Sequence, residues 1–219
     1  MIFYPITVKK GVLTKKREKL LKKIDISGKK RKWEKLIKYV DDNEELANST
    51  RSVRENKETT LNTPLHYAAL GSAPKDVFKK LLKKGSAKCL KNSAGETAYD
   101  IGVKSQLPQD VLDLIKIPQE IKQKEKMIQK FEEGLHKLIM ERVDNLINEN
   151  KEVLPQVAYL FEKGSFHYMV PMMYGGFNVE RKGENTIRVS SFIRVYEGSG
   201  QRHEIDSEGN VKLTEDGYC

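Results

Sequence analysis

Two histidines in the C-terminal third of the chain are the candidates for acid–base chemistry. His167 and His203 both lie in segments rich in aromatic and β-branched residues. Histidine changes charge near neutral pH, so it can act as a general acid or base when a second group positions it. Glu162 or Glu204 would be that group for His167. On a strand, His203 and Glu204 point to opposite faces and cannot act together without a bulge, so we assign no catalytic residue.

The cysteines and the glycine-rich segments offer little further chemistry. Cys89 and Cys219 are far apart in sequence and neither belongs to a CxxC motif, so we expect no disulfide framework, no metal site and no cofactor. The segment GSG at 198–200 lies close to Arg202 and would suit an anion. It precedes a predicted strand, however, and lacks the helix N-terminus that makes phosphate loops effective. We interpret it as a hairpin turn or bulge, and YGGF at 174–177 as a sharp turn between strands.

The segment that carries these residues has the composition of a small sheet. From residue 154 the chain is aromatic, β-branched and glycine-rich, and short strands are predicted at VAYLF, FHYMV, GGFNVE, 185–196, QRHEID and NVKLT. Within 185–196 the side chains of Ile187, Val189 and Ser191 alternate with polar ones, which is typical of a strand with one buried face. Hairpin turns are predicted at 182–185 and 207–210. Residues 154–219 are therefore predicted to form an antiparallel β module, which resembles no characterised family known to us.

A long helix is predicted before this module. Residues 119–150 contain no proline, and apolar side chains recur at helical spacing from Ile121 to Ile147. The pattern predicts one amphipathic helix of roughly thirty residues, about 45 Å long, within a connecting segment 119–153. Its stripe is better suited to packing inside this chain than to a coiled coil, because Lys124 and Arg142 interrupt any seven-residue seam.

The N-terminal segment holds the positive charge of the protein. Lysines and arginines number 40 against 31 acidic residues, a net charge of +9, whereas residues 1–40 alone carry +11. Residues 12–24 predict a basic amphipathic helix with Thr14 as N-cap, and a second helix is predicted from Trp33 to Val40. Residues 48–60 predict a loop. We expect weak, nonspecific polyanion binding through residues 1–40, against the alternative that these lysines are only solvated helix faces.

Between these segments lies a repeated pattern of paired helices. Apolar helical patterns at 65–70 and 77–82 are separated by the turn residues 71–74 and closed by Gly85. The same order of residue types begins again at Gly95. Thr63 and Thr97 are 34 residues apart, which is close to the period of helix-pair repeats.

These residues resemble the ankyrin-repeat family over about residues 30–118. The segment TPLHYAA at 63–69 is similar to the central motif of the family, and LLKKG at 81–85 is similar to the end of its second helix. In that family the histidine equivalent to His66 ties adjacent repeats by hydrogen bonds. The second unit departs from the pattern, with Ala98, Tyr99, Asp100 and Gly102 where proline, leucine, histidine and alanine are usual. Residues 32–47 resemble the helix pair of a leading repeat.

The resemblance implies that the loops and the concave face of the repeats bind a protein partner. Transferred position by position, the contact surface would comprise Lys57, Thr59, Thr60, Asn62, Leu70, Lys91, Ser93, Ala94, Glu96, Lys104 and Ser105. The resemblance identifies no partner, because a fold alone does not specify a ligand. The alternative is that the β module binds a small molecule or is hydrolytic, and that the repeats only deliver it to a target.

The whole sequence therefore predicts an α+β protein of four segments. These are a basic segment 1–29, a short ankyrin-like helical stack 30–118, the long helix 119–153 and the antiparallel β module 154–219. No apolar run is long enough to span a membrane, and MIFYPITVKKGV has neither a preceding basic region nor a cleavage signal. We expect a soluble protein of a reducing compartment, with the cytoplasm as the first expectation and the nucleus as an alternative.

Overall fold

A computed structural model describes residues 4–5, 7–53, 59–193 and 199–218. The chain divides into two compact units. The helical unit is Thr7–Pro118, and the sheet unit is Gln119–Cys219 together with Met1–Ile6. Helices and one antiparallel sheet place the protein in the α+β class. In the part of the chain that is described, no helix combines the length and apolar character needed to cross a membrane.

The helical unit is a stack of three helix pairs. Its helices are α1 (Lys15–Lys29), α2 (Trp33–Asp41), α3 (Pro64–Leu70), α4 (Lys75–Lys83), α5 (Ala98–Lys104) and α6 (Gln109–Ile115), with a 3-10 turn at Glu44–Leu46. The inner helices α1, α3 and α5 pack side by side, and the outer helices α2, α4 and α6 do the same in a second layer. Leu65, Phe78, Leu81 and Ile115 are fully buried between the layers.

The first helix of this stack, α1, begins before residue 30, where the sequence placed the start of the helical stack. The predicted helix 12–24 with Thr14 as N-cap is confirmed, since Thr14 Oγ1 accepts from Arg17 N at 3.3 Å. The helix continues to Lys29 and packs against α2 and α3. A Cβ atom at Gly28 would lie 2.5 Å from Cγ of Tyr67, so α1 and α3 approach each other too closely for a larger residue there. Residues 1–29 are therefore not a separate segment, because α1 belongs to the helical unit.

The sequence predicts one continuous helix over 119–150 in the sheet unit, and this prediction is wrong because the helix is interrupted twice. The chain forms α7 (Gln119–Gln123) and α8 (Glu125–Asn150), and α8 is itself interrupted at Val143, where φ is −148° and ψ is 30°. The preceding Arg142 extends to Ser199, whose carbonyl accepts from Nη2 at 3.1 Å. Apolar spacing continues across both breaks, so the periodic pattern could not reveal them.

The predicted strand VAYLF is also wrong, because these residues begin α9 (Ala158–Lys163). Tyr159, Leu160 and Phe161 are all buried, and a short run buried on every side gives no alternation that distinguishes helix from strand. The Val157 N–H, just before the helix, donates to Glu132 Oε2 at 2.7 Å. A tertiary hydrogen bond therefore satisfies one of the backbone N–H groups at the helix start that have no partner within the helix.

The remaining predicted strands form an antiparallel meander. They are β1 (Ser165–Val170), β2 (Gly175–Arg181), β3 (Thr186–Ile193), β4 (Gly200–Asp206) and β5 (Val211–Tyr218), in that order across the sheet. The alternation predicted for 185–196 is confirmed where the chain is described, since Ile187, Val189 and Ser191 are buried. Residues 194–196 lie outside the described part. Both hairpin turns are confirmed by hydrogen bonds, one from Lys182 N to the Thr186 carbonyl at 2.8 Å.

Candidate functional site

The resemblance to the repeat family directs attention to the start of α3. His66 Nδ1 accepts from Thr63 N at 3.2 Å and lies 2.8 Å from Thr63 Oγ1, while Nε2 lies 3.1 Å from the Glu96 carbonyl. A neutral ring with its proton on Nε2 satisfies all of these contacts. Burial lowers the pKa of His66 to about 4, so the ring is neutral at physiological pH. His66 therefore joins the start of α3 to the loop before α5, as the resemblance implied.

The loops that precede α3 and α5 are also joined directly. Ser93 N donates to the Thr60 carbonyl at 2.9 Å, and Asn92 Nδ2 donates to Asn62 Oδ1 at 3.0 Å. Asn92 Oδ1 accepts from the backbone of Ala94 and Glu96 at 2.9 and 3.1 Å. These bonds hold two adjacent loops in fixed relative positions, which favours a binding surface that needs little ordering on contact.

The predicted contact residues differ in how far they reach the surface. Thr60, Leu70, Lys91, Ser93, Ala94 and Lys104 are exposed, whereas Thr59, Glu96 and Ser105 are half-buried. Asn62 is only 8% exposed, and its side chain is bonded to Asn92. The side chain of Asn62 therefore links the two loops, and little of it is accessible to a partner. Lys57 lies outside the described residues.

Glu96 and Lys104 form an ion pair across the start and end of the second repeat. The Lys104 ammonium lowers the pKa of Glu96, and the Glu96 carboxylate raises the pKa of Lys104. Lys104 is exposed and Glu96 is half-buried at the surface, so solvent screens the pair and it adds little to stability. The positive charge of Lys104 is therefore partly offset by the neighbouring carboxylate.

Three exposed aliphatic side chains, one on each inner helix, were not predicted as a group. Among the described residues of the helical unit, the large hydrophobic side chains that are exposed are Ile26, Leu70 and Val103, at 36%, 47% and 49%. Each lies in the last four residues of a different inner helix. Only Leu70 was expected, because the resemblance supplied it. Ile26 and Val103 adjoin apolar helical stripes in sequence, and packing alone reveals that they are left outside the core.

We expect Thr97→Ala to destabilise the helical unit by about 1 kcal/mol, because Thr97 begins α5 with reciprocal hydrogen bonds. Its N donates to Asp100 Oδ2 at 2.9 Å, and its Oγ1 accepts from Asp100 N at 3.3 Å. Urea unfolding followed by the fluorescence of Trp33, the single tryptophan, measures the change. Thr97→Ser retains the hydroxyl and should unfold as the wild type does. Equal stability of the alanine variant and the wild type would contradict this role.

The acid–base candidates of the sheet unit are engaged in other contacts. His167 is 4% exposed, and its Nδ1 lies 2.6 Å from Asn178 Oδ1. Glu204 pairs with Lys182 and Arg188. His167 and Glu204 therefore contact other residues instead of each other.

His203 and Glu204 point to opposite faces of β4, as predicted. His203 is buried beside Val189, its partner in β3. Burial is the main cause that lowers the pKa of His203, and the positive charge of Arg142 lowers it further. Among the described residues, no cluster of His, Cys, Asp and Glu could hold a metal ion.

The glycine-rich segments serve the sheet. Ser199 Oγ accepts from Ile193 N at 3.0 Å and donates to the Ile193 carbonyl at 2.9 Å, so the hydroxyl joins β3 to the start of β4. Gly198 lies outside the described residues. The turn expected at 174–177 comes earlier, since Gly175 and Gly176 already belong to β2. A Cβ atom at Gly176 would collide with the Tyr168 carbonyl of β1, which explains why glycine is required there.

Comparison with protein-family models, with curated proteins and with solved structures gave no match to the chain. The likeness to ankyrin repeats therefore depends on the residues at 63–69 and 81–85 and on the 34-residue spacing.

Proposed function

We propose that the chain is a protein-binding module, whose ankyrin-like stack holds a partner through its loops and inner helices. The observation that carries the proposal is that each inner helix has one exposed aliphatic side chain in its last four residues, namely Ile26, Leu70 and Val103. Exposed apolar side chains that lie together on a rigid scaffold are typical of interaction sites. The loops bonded through Thr60 and Ser93 would form the polar edge of this surface.

The compartment belongs to the same proposal. Cys89 is a buried cysteine, which suits a reducing compartment such as the cytoplasm, with the nucleus as the alternative.

A second candidate function is ligand binding by the sheet, and one observation favours it. His167, Asn178, Ser190, Arg202 and Glu215 lie directly opposite one another on successive strands, so a polar row crosses all five strands on one face. Within this row, His167 lies within hydrogen-bond distance of Asn178, and Arg202 pairs with Glu215. A small polar ligand would therefore bind to polar groups that are already held in place by each other.

A pull-down with the full chain as bait tests the first candidate and shows which unit binds the partner. We expect Leu70→Asp with Val103→Asp to reduce the captured partner by at least about tenfold, because a charge in an apolar contact costs well over 1 kcal/mol. Lys91→Glu should weaken capture in the same direction. Each change is at an exposed side chain, so the melting temperature should barely change.

The matched control introduces the same charges at exposed apolar side chains of the sheet unit. Met172→Asp with Leu213→Asp should leave capture unchanged, since these side chains are 68% and 46% exposed and lie outside the helical unit. Loss of capture in this control, or in Ser190→Asp, with Leu70→Asp and Val103→Asp neutral, would assign the binding site to the sheet.

A further inference from the structure

Helix α1 presents a face made almost entirely of lysine. Its exposed residues are Lys15, Lys16, Lys19, Lys22, Lys23, Ile26 and Lys29. At 100° per residue these positions fall within a sector of about 140°. The opposite side of the helix carries Leu21 and Ile24, which are buried in the stack. The lysines therefore form a fixed face on a packed helix and not a disordered basic tail.

Most of these lysines are not neutralised within the protein. Among the described residues, Lys15, Lys16, Lys19 and Lys22 have no acidic group within ion-pair distance, whereas Lys29 pairs with Asp25 at 2.8 Å. The five lysines from Lys15 to Lys23 are spread over about 12 Å of helix axis, which is one positive charge per about 3 Å. One strand of a nucleic acid carries one phosphate per about 3.4 Å of axis, so the two linear charge densities match.

From this face we propose that α1 binds the phosphate backbone of double-stranded nucleic acid without sequence preference. The binding is a second activity, on a surface that meets the proposed partner surface only at Ile26. Lysine is a point charge that neutralises phosphates, whereas base recognition uses mainly arginine and amide side chains. The exposed face contains none of these, which favours contacts to backbone phosphates over contacts to base edges.

The aromatic residues near this face argue against binding of single-stranded nucleic acid. Binding of unpaired bases needs exposed aromatic rings on which the bases stack. Trp33 packs against Gly71, and the ring of Tyr39 lies under Lys23, whose ammonium is 5.4 Å from the ring centroid. Neither ring is presented as a stacking platform.

The packing of α1 also argues against insertion into a membrane. A helix that lies on a bilayer buries its apolar face in the lipid. In α1 that face, with Leu21 and Ile24, is already buried in the helical unit. Anionic lipid could attract only the lysines, and the linear match with one phosphate strand favours the duplex.

Binding of the full chain to a labelled duplex of about 20 base pairs, titrated between about 50 and 200 mM salt, tests the proposal. We expect the triple change Lys15→Gln, Lys19→Gln and Lys22→Gln to weaken binding about tenfold at low salt. It should also reduce the slope of log affinity against log salt by about 2 to 3, since each phosphate contact contributes about 0.9. Circular dichroism checks that the triple variant keeps the helical content of the wild type.

The matched control removes the same charge from the outer layer. Lys79→Gln, Lys80→Gln and Lys83→Gln change three exposed lysines of α4, and duplex binding should stay within about twofold of wild type. Equal losses in the two triple variants would overturn the proposal, because net charge alone would then explain binding. Tighter binding of single strands of the same length, of vesicles rich in phosphatidylserine, or of poly-glutamate would overturn it as well, as would no measurable duplex binding.

Discussion

Glu152→Gln is expected to stabilise the sheet unit by about 3 kcal/mol at pH 7 but by only about 1 kcal/mol at pH 5. Glu152 is 7% exposed, and neither carboxyl oxygen has a hydrogen-bond partner among the described residues. Burial raises its pKa to about 8, and the nearby Tyr168 hydroxyl only partly offsets this. Removing an ionisable group that must stay protonated in the fold therefore removes a cost that grows with pH.

The direction of this pH dependence follows from whether the native or the unfolded state binds the Glu152 proton. The native protein keeps the Glu152 proton up to about pH 8, whereas the unfolded chain loses it above about pH 4.5. Between these values the native state binds more protons, so the stability of the wild type falls as pH rises, by up to about 1.4 kcal/mol per pH unit. Amide hydrogen exchange in β1 to β3, measured at several pH values, follows this unit directly.

The matched control for Glu152 is Glu149→Gln, which changes an exposed carboxylate near the end of α8. It should leave the pH dependence of the exchange rates as it is in the wild type. A stabilisation by Glu152→Gln that is the same at pH 5 and pH 8 would contradict the assignment, because it would then arise from packing and not from ionisation.

Leu81→Ala is expected to destabilise the helical unit by about 2 to 5 kcal/mol. Leu81 is fully buried between the two helical layers, in the core that also contains Phe78 and Leu65. Truncation removes buried methyl groups and leaves a cavity that a stack of short helices cannot close. Urea unfolding followed by Trp33 fluorescence measures the loss, since Trp33 packs against this core.

Leu70→Ala is the control for Leu81→Ala, because it removes the same atoms from a side chain that is 47% exposed. It should change the free energy of unfolding by no more than about 0.5 kcal/mol. If the two leucine variants lost stability equally, Leu70 would be a core residue. It would then not belong with Ile26 and Val103 to the exposed aliphatic side chains that carry the proposed function. If neither lost stability, the interlayer core would be assigned to the wrong residues.

The sequence by itself determined the elements whose signals are local. Thr14 caps α1 through its own side chain, and the segment TPLH at 63–66 carries both halves of the first capping arrangement. Alternation in 185–196 specified which residues of β3 face the core, because the period of a strand is two. These features depend on residues within a few positions of one another, so a pattern in the chain is enough to specify them.

Long-range packing decided the rest. The break at Val143, the helical state of 158–161 and the burial of Asn62 each depend on a partner far away in the chain, such as Ser199, Glu132 or Asn92. The candidate sites also contain features that the sequence indicated and features that only the packing decided. The resemblance indicated the loops and Leu70, but only the stack shows that Ile26 and Val103 stay outside the core. The lysines of α1 were visible as charge, yet their arrangement on one fixed face followed from the burial of Leu21 and Ile24, because tertiary contacts determine which side of a helix remains in water.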